Sequence, residues 1–111
     1  MFEKDMILQG TTPSLTITIN PEDVQLSDIV DVELTFGQGS NVLYKGINDV
    51  DINSEENVLS YHFTEEETLG MNTSLSMYWQ LRLMTNTGDI FGTRKQAITI
   101  EELQSTKRLT P

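Results

Sequence analysis

Apolar and polar residues alternate singly along much of this 111-residue chain, the period of strands with one face in a core and the other in water. From Ser14 to Ile19 the pattern sets Leu15, Ile17 and Ile19 on one face and Thr16 and Thr18 on the other. From Val30 to Phe36 it sets Val32, Leu34 and Phe36 against Asp31, Glu33 and Thr35. Leu59, Tyr61 and Phe63 mark another strand. The strongest stripe is Leu75, Met77, Trp79, Leu81 and Leu83, which predicts a strand from Leu75 to Met84. It places Trp79 near the core centre, packed on the Leu15, Ile17, Ile19 face and the Val32, Leu34, Phe36 face.

The punctuation between these segments fits hairpins. Gly37-Gln38-Gly39-Ser40-Asn41 reads as a turn into a short strand, Val42 to Lys45, because glycine reaches positive φ without steric cost. A polar stretch from Asn48 to Asn57 interrupts or bulges the sheet around Val50 and Ile52. Thr64-Glu65-Glu66-Glu67 has capping-box spacing and predicts one helical turn, with Leu69 plugging the end of the layers. Thr85-Asn86-Thr87-Gly88 closes a tight hairpin, followed by a last strand or strand pair over Ile90 to Arg94 and Ala97 to Ile100. The segment Glu101 to Pro111 has little periodicity and is expected to fray. About seven short strands with no sustained helix imply an all-β fold, an antiparallel β-sandwich of the immunoglobulin-like kind. Residues 1–111 are expected to form a single domain, with its core at about residues 6–100.

Charge narrows the partners. Seventeen acidic residues against seven basic give a net charge of −10, which repels phosphate backbones and anionic lipid surfaces. Neither a nucleic acid nor a membrane is an expected partner. The chain has no cysteine, so disulfides, thiolate metal sites and cysteine nucleophiles are excluded. Apolar runs such as Met6-Ile7-Leu8 reach only three residues, and Met1-Phe2-Glu3-Lys4-Asp5 lacks the basic, then apolar, order of a secretion signal.

The candidate chemistry is sparse. Asp49, Asp51 and Asn53 begin like a calcium loop, but Ser54 and Ser60 stand where glycine and a bidentate glutamate are needed. A solvated acidic loop is the leading reading, and a weak surface calcium site the alternative. His62, the only histidine, alternates outward with no partner identifiable from the sequence, which argues against catalysis. Glu65, Glu66 and Glu67 are adjacent, whereas the carboxylate pairs of glycoside hydrolysis come from separate elements across a cleft, so helix capping explains them better. Gly37-Gln38-Gly39 lacks the third glycine, the helix and the lysine of a phosphate loop. Of Tyr44, Tyr61, Tyr78 and Trp79, only the outward Tyr78 invites a sugar-stacking role; Lys107 and Arg108 read as solvated. No catalytic, cofactor-binding or metal residue is expected, and the chain is expected not to be an enzyme.

A resemblance gives these features a context. Leu8-Gln9-Gly10-Thr11-Thr12-Pro13-Ser14-Leu15 resembles the opening of small prophage-encoded proteins of Gram-positive bacteria, similar to the N-terminal domain of phage baseplate upper proteins. Asp23-Val24-Gln25-Leu26-Ser27-Asp28 before a strand ending Leu34-Thr35-Phe36-Gly37-Gln38 extends the likeness, as do Thr64-Glu65-Glu66-Glu67-Thr68-Leu69 and the final strand after Thr87-Gly88. It covers about residues 7–100. The resemblance implies a tail or baseplate structural protein that acts through protein–protein contacts, with other tail or baseplate proteins and a second copy as expected partners. It also implies assembly in the bacterial cytoplasm and a place in the virion. Baseplate upper proteins are usually much longer, with a receptor-proximal region outside the stretch that the resemblance covers, so these residues are expected to correspond to the attachment domain alone. A small carbohydrate-binding or adhesion module, based on Tyr78 and the acidic loop, is the alternative.

Overall fold

The alternating segments become strands in a computed structural model that describes residues 6–102. In chain order these are β1 (Met6–Leu8), β2 (Ser14–Thr18), β3 (Ile29–Gln38), β4 (Asn41–Gly46), β5 (Asp51–Asn53) and β6 (Val58–His62). The helical turn α1 (Glu65–Leu69) follows, then β7 (Met77–Thr85), β8 (Ile90–Gly92) and β9 (Gln96–Glu101). They form two sheets, a larger one ordered β1-β9-β7-β3-β4 with β8 also on β7, and a smaller one ordered β2-β6-β5. The fold is an all-β sandwich, antiparallel except where β1 runs parallel to β9.

The core lies between the inner faces of the two sheets. Leu34 and Leu81 sit side by side on β3 and β7, and Leu59 comes from β6; all three are at most 1% exposed. Phe36 bridges the sheets, its ring centroid 5.5 Å from that of Tyr61 and 4.8 Å from that of Phe63. Trp79 shares the inner face but is only half-buried and packs against the cluster from its margin. Its stripe therefore lies beside the Val32, Leu34, Phe36 face in the same sheet, not opposite it. The stripe is also shorter than expected, because Leu75 falls outside β7 and is exposed.

Local signals hold where they are chemically explicit. Thr64 caps α1 through the Glu67 amide, while the Glu67 carboxylate accepts from the Thr64 amide, a complete capping box. The residue plugging that end is Thr68, fully buried, and not the half-buried Leu69. Its hydroxyl accepts from the Gly10 amide and donates to the Thr11 carbonyl, tying α1 to the β1–β2 connection. Gly88 has φ of 88°, as its turn requires. The polar stretch after β4 holds the three-residue β5 in the smaller sheet. Glu101 ends β9 opposite Leu8; the rest of the segment expected to fray lies mostly outside the described residues.

Candidate functional site

The chemistry of the larger sheet's outer face follows from its register. Val42, Gly37, Tyr78 and Ala97 form one row across β4, β3, β7 and β9, and Tyr44, Thr35 and Gln80 form the next. Val42, Tyr44 and Tyr78 are 47%, 66% and 47% exposed. Because Gly37 has no side chain, a shallow hollow of about 350 Å³ opens between Val42 and Tyr78, edged by Thr35, Gln80 and Lys95. One row further, Glu33 and Arg82 are ion-paired at 2.8 Å. The face is thus apolar toward the β3–β4 turn and charge-balanced beyond it, on a protein that is acidic overall.

This face ends at β4, an edge with little protection. Edge strands usually carry a proline, a bulge or an outward charge, or are very short, because their free amides invite pairing. β1, β5 and β8 have three residues each and β5 carries Asp51, while β2, the other edge of the smaller sheet, has five residues with a threonine-rich outward face and no large exposed apolar side chain. β4 has six residues, no proline and an unbroken register with β3. Its one charge, Lys45, turns inward to Glu67 at 2.9 Å. Beneath it, an open groove of about 520 Å³ runs between β4 and α1, lined by Leu43, Glu66, Met71 and Met77.

The Lys45–Glu67 pair belongs to a network that closes this end of the sandwich. The Tyr61 hydroxyl donates to the Glu67 carboxylate at 2.7 Å, and Lys45 Nζ lies 5.2 Å from the Tyr61 ring centre. Burial pushes the Glu67 carboxyl up, but the Thr64 amide, the Tyr61 hydroxyl and Lys45 together hold it below the usual carboxylate range. Burial and the adjoining carboxylate raise the Tyr61 hydroxyl. Burial lowers Lys45, and its contacts with Glu67 and Tyr61 raise it further than that. With the Glu67 pKa depressed in the fold, the unfolded chain takes up that proton first, so the network's contribution is whole above about pH 4.5 and is lost as pH falls below it. Glu67→Gln is therefore expected to lower stability at pH 7 and to flatten the acid limb of thermal melts recorded from pH 6 to pH 3. Equal acid slopes in both proteins would refute this role.

The residues singled out from the sequence are placed separately. Asp49 Oδ2 accepts from the Gly46 amide, Asp51 Oδ2 contacts His62 Nε2, and Asn53 Oδ1 accepts from the Glu56 amide. The three donors of the candidate calcium loop thus face three different partners, and no metal-ligand cluster forms among the described residues. Thermal melts with millimolar calcium and with chelator are expected to coincide; a rise of several degrees with calcium would revive the site. Gln38, read as part of a plain turn, is buried and ties the hairpin to the segment before β7 through the Asn72 and Leu75 carbonyls. Tyr61 is core, while Tyr44 and Tyr78 are surface. Lys107 and Arg108 lie outside the described residues.

His62 does have partners. Ser14 Oγ contacts its Nδ1 and Asp51 its Nε2 at 2.7 Å, forming a serine–histidine–aspartate line across β2, β6 and β5. The His62 and Asp51 side chains are 62% and 75% exposed. On this exposed face the line is a cross-strand tie that joins all three strands of the smaller sheet. Sequence reasoning missed it because the line joins positions 14, 51 and 62, which only register brings together.

No family model matches the chain, and no curated protein matches it significantly. Among the described residues, no helix is long and apolar enough to cross a membrane.

Proposed function

We propose that the chain is a non-enzymatic structural component of a phage or prophage particle, a tail or baseplate part that works through contacts with other proteins. The observation that carries this reading is the apolar outer face of the larger sheet, continuous with the unguarded edge of β4. The prophage context comes from the sequence resemblance over about residues 7–100. The strand order supports an immunoglobulin-like form of the sandwich, with β2, β6 and β5 in the places of strands B, E and D, and β3, β4, β7 and β9 in those of C, C′, F and G. The protein would fold in the bacterial cytoplasm and be carried in the virion. Co-expression with the proteins encoded beside its gene tests the reading: a tail or baseplate protein is expected to co-purify with it stoichiometrically. Neighbouring genes unrelated to phage particles, with no such complex, would overturn it.

A carbohydrate-binding module is the second reading, favoured by exposed Tyr78 beside the hollow edged by Gln80 and Lys95. Retention on a glycan array that is lost in Tyr78→Ala would favour it; no retention would remove it.

A further inference from the structure

We infer that β4 pairs with β4 of a second copy, in antiparallel register about a two-fold axis at Leu43. This deepens the assembly reading and rests on it, naming which edge is used and what covers it. The two-residue turn makes Gln38 and Asn41 the first hydrogen-bonded pair of the β3–β4 ladder. By alternation Leu43 and Lys45 also bond inward to β3, so Val42, Tyr44 and Gly46 turn their amides and carbonyls away from it. Gly46 is already capped, its amide donating to Asp49 Oδ2 and its carbonyl accepting from the Asp49 amide. The usable edge is therefore Val42 and Tyr44 alone.

Two residues spaced two apart complement themselves in one register. Val42 of one copy lies opposite Tyr44 of the other, and Tyr44 opposite Val42, so each pair exchanges both backbone bonds. Leu43 then faces Leu43 of the second copy on the inner side, where the groove between β4 and α1 leaves room for both. On the outer side, Val42 and Tyr44 form two aromatic–β-branched cross-strand pairs, a favourable combination.

On the outer face, where Val42 and Tyr44 lie, charge favours a second copy over a cationic strand. The only charge on β4 is the Lys45 ammonium, satisfied by Glu67, and the outer-face carboxylate nearest in register, Glu33, is paired with Arg82. On the outer side a basic partner finds no free carboxylate along β4 and two copies meet without opposing charges, while on the inner side Glu66 lines the groove of each copy and adds a like charge that salt must screen. The net charge of −10 per copy still repels at longer range, so the pairing should be weak at low salt and strengthen as salt screens it. A cationic partner would show the opposite dependence.

The absence of cysteine makes a direct test possible. Leu43→Cys, Val42→Cys and Tyr44→Cys would each be oxidised with glutathione at matched concentration. Opposed residues in a non-hydrogen-bonded antiparallel pair have Cα atoms about 4.5 Å apart, within disulfide reach, while like residues one position away are offset diagonally by about 7–8 Å. Leu43→Cys is expected to cross-link into dimers about tenfold faster than the other two. Light scattering coupled to size exclusion should show the wild-type dimer fraction rising with protein and salt. Val42→Lys and Tyr44→Pro, which remove edge complementarity without breaking a β3 bond, should weaken dimerisation about tenfold or more at an unchanged circular-dichroism spectrum. A strict monomer at all concentrations and salts, or equal cross-linking of the three variants, overturns β4 pairing. A monomer that co-purifies with a neighbouring tail protein overturns only the pairing, and a dimer without any such partner overturns only the phage assignment.

Discussion

Leu34→Ala should cost about 3 kcal/mol of stability in urea unfolding, within the range of leucine truncations at fully enclosed sites. Leu34 is inaccessible to solvent and lies between Leu81 on the neighbouring strand and the residues of the opposite sheet, so a cavity there has no route to collapse. Trp79→Ala, by contrast, should fall below the roughly 3 to 5 kcal/mol of a buried tryptophan, because Trp79 is only half-buried at the margin of the core. Tryptophan emission in the folded protein should accordingly lie between that of a buried and a free indole. If Trp79→Ala proves costlier than Leu34→Ala, the centre of the core is misplaced.

The second large effect belongs to Asn57, a buried polar residue with φ of 57°. Its amide group donates to the Ile19 and Val24 carbonyls and its Oδ1 accepts from the Leu26 amide, while its own carbonyl accepts from the Ile19 amide. One side chain thus pins the whole β2–β3 connection onto the start of β6. Asn57→Ala is expected to cost about 2 to 4 kcal/mol, since it strands three backbone groups and keeps the left-handed backbone without asparagine's tolerance for it. Asn57→Gly relieves the backbone but not the lost bonds, so it should recover about 1 kcal/mol of that loss. Full recovery by glycine would mean that strain, and not hydrogen bonding, explains the residue.

What the sequence made legible was local. The alternation over Ser14 to Ile19 and Val30 to Phe36, the Thr64–Glu67 capping box and Gly88 each carry their own physics within a few residues, and each stands where expected. Trp79 shows the limit: alternation assigns a side chain to a face, but its depth depends on which strand lies across from it. The Ser14–His62–Asp51 tie and the parallel partner of Met6–Leu8 depend on strand order, which no window of sequence contains. Asn57, next to two glutamates, read as part of a polar loop because neither its positive φ nor the backbone groups it serves are local. The β4 edge was hidden for the same reason, since a strand is an edge only once its neighbours are known.

The parallel β1–β9 pair has a mechanical meaning. Its register joins Met6 to Thr99, Ile7 to Ile100 and Leu8 to Glu101, and the Gln9 amide extends the ladder to the Glu101 carbonyl. Tension applied before Met6 and after Glu101 drags the two strands in opposite directions along their own axes, so the rungs bear load together and do not unzip in turn. A chain held at these two points would act as a tensile link, and the rate at which it yields under force would be set by this short pair before the rest of the sandwich is strained.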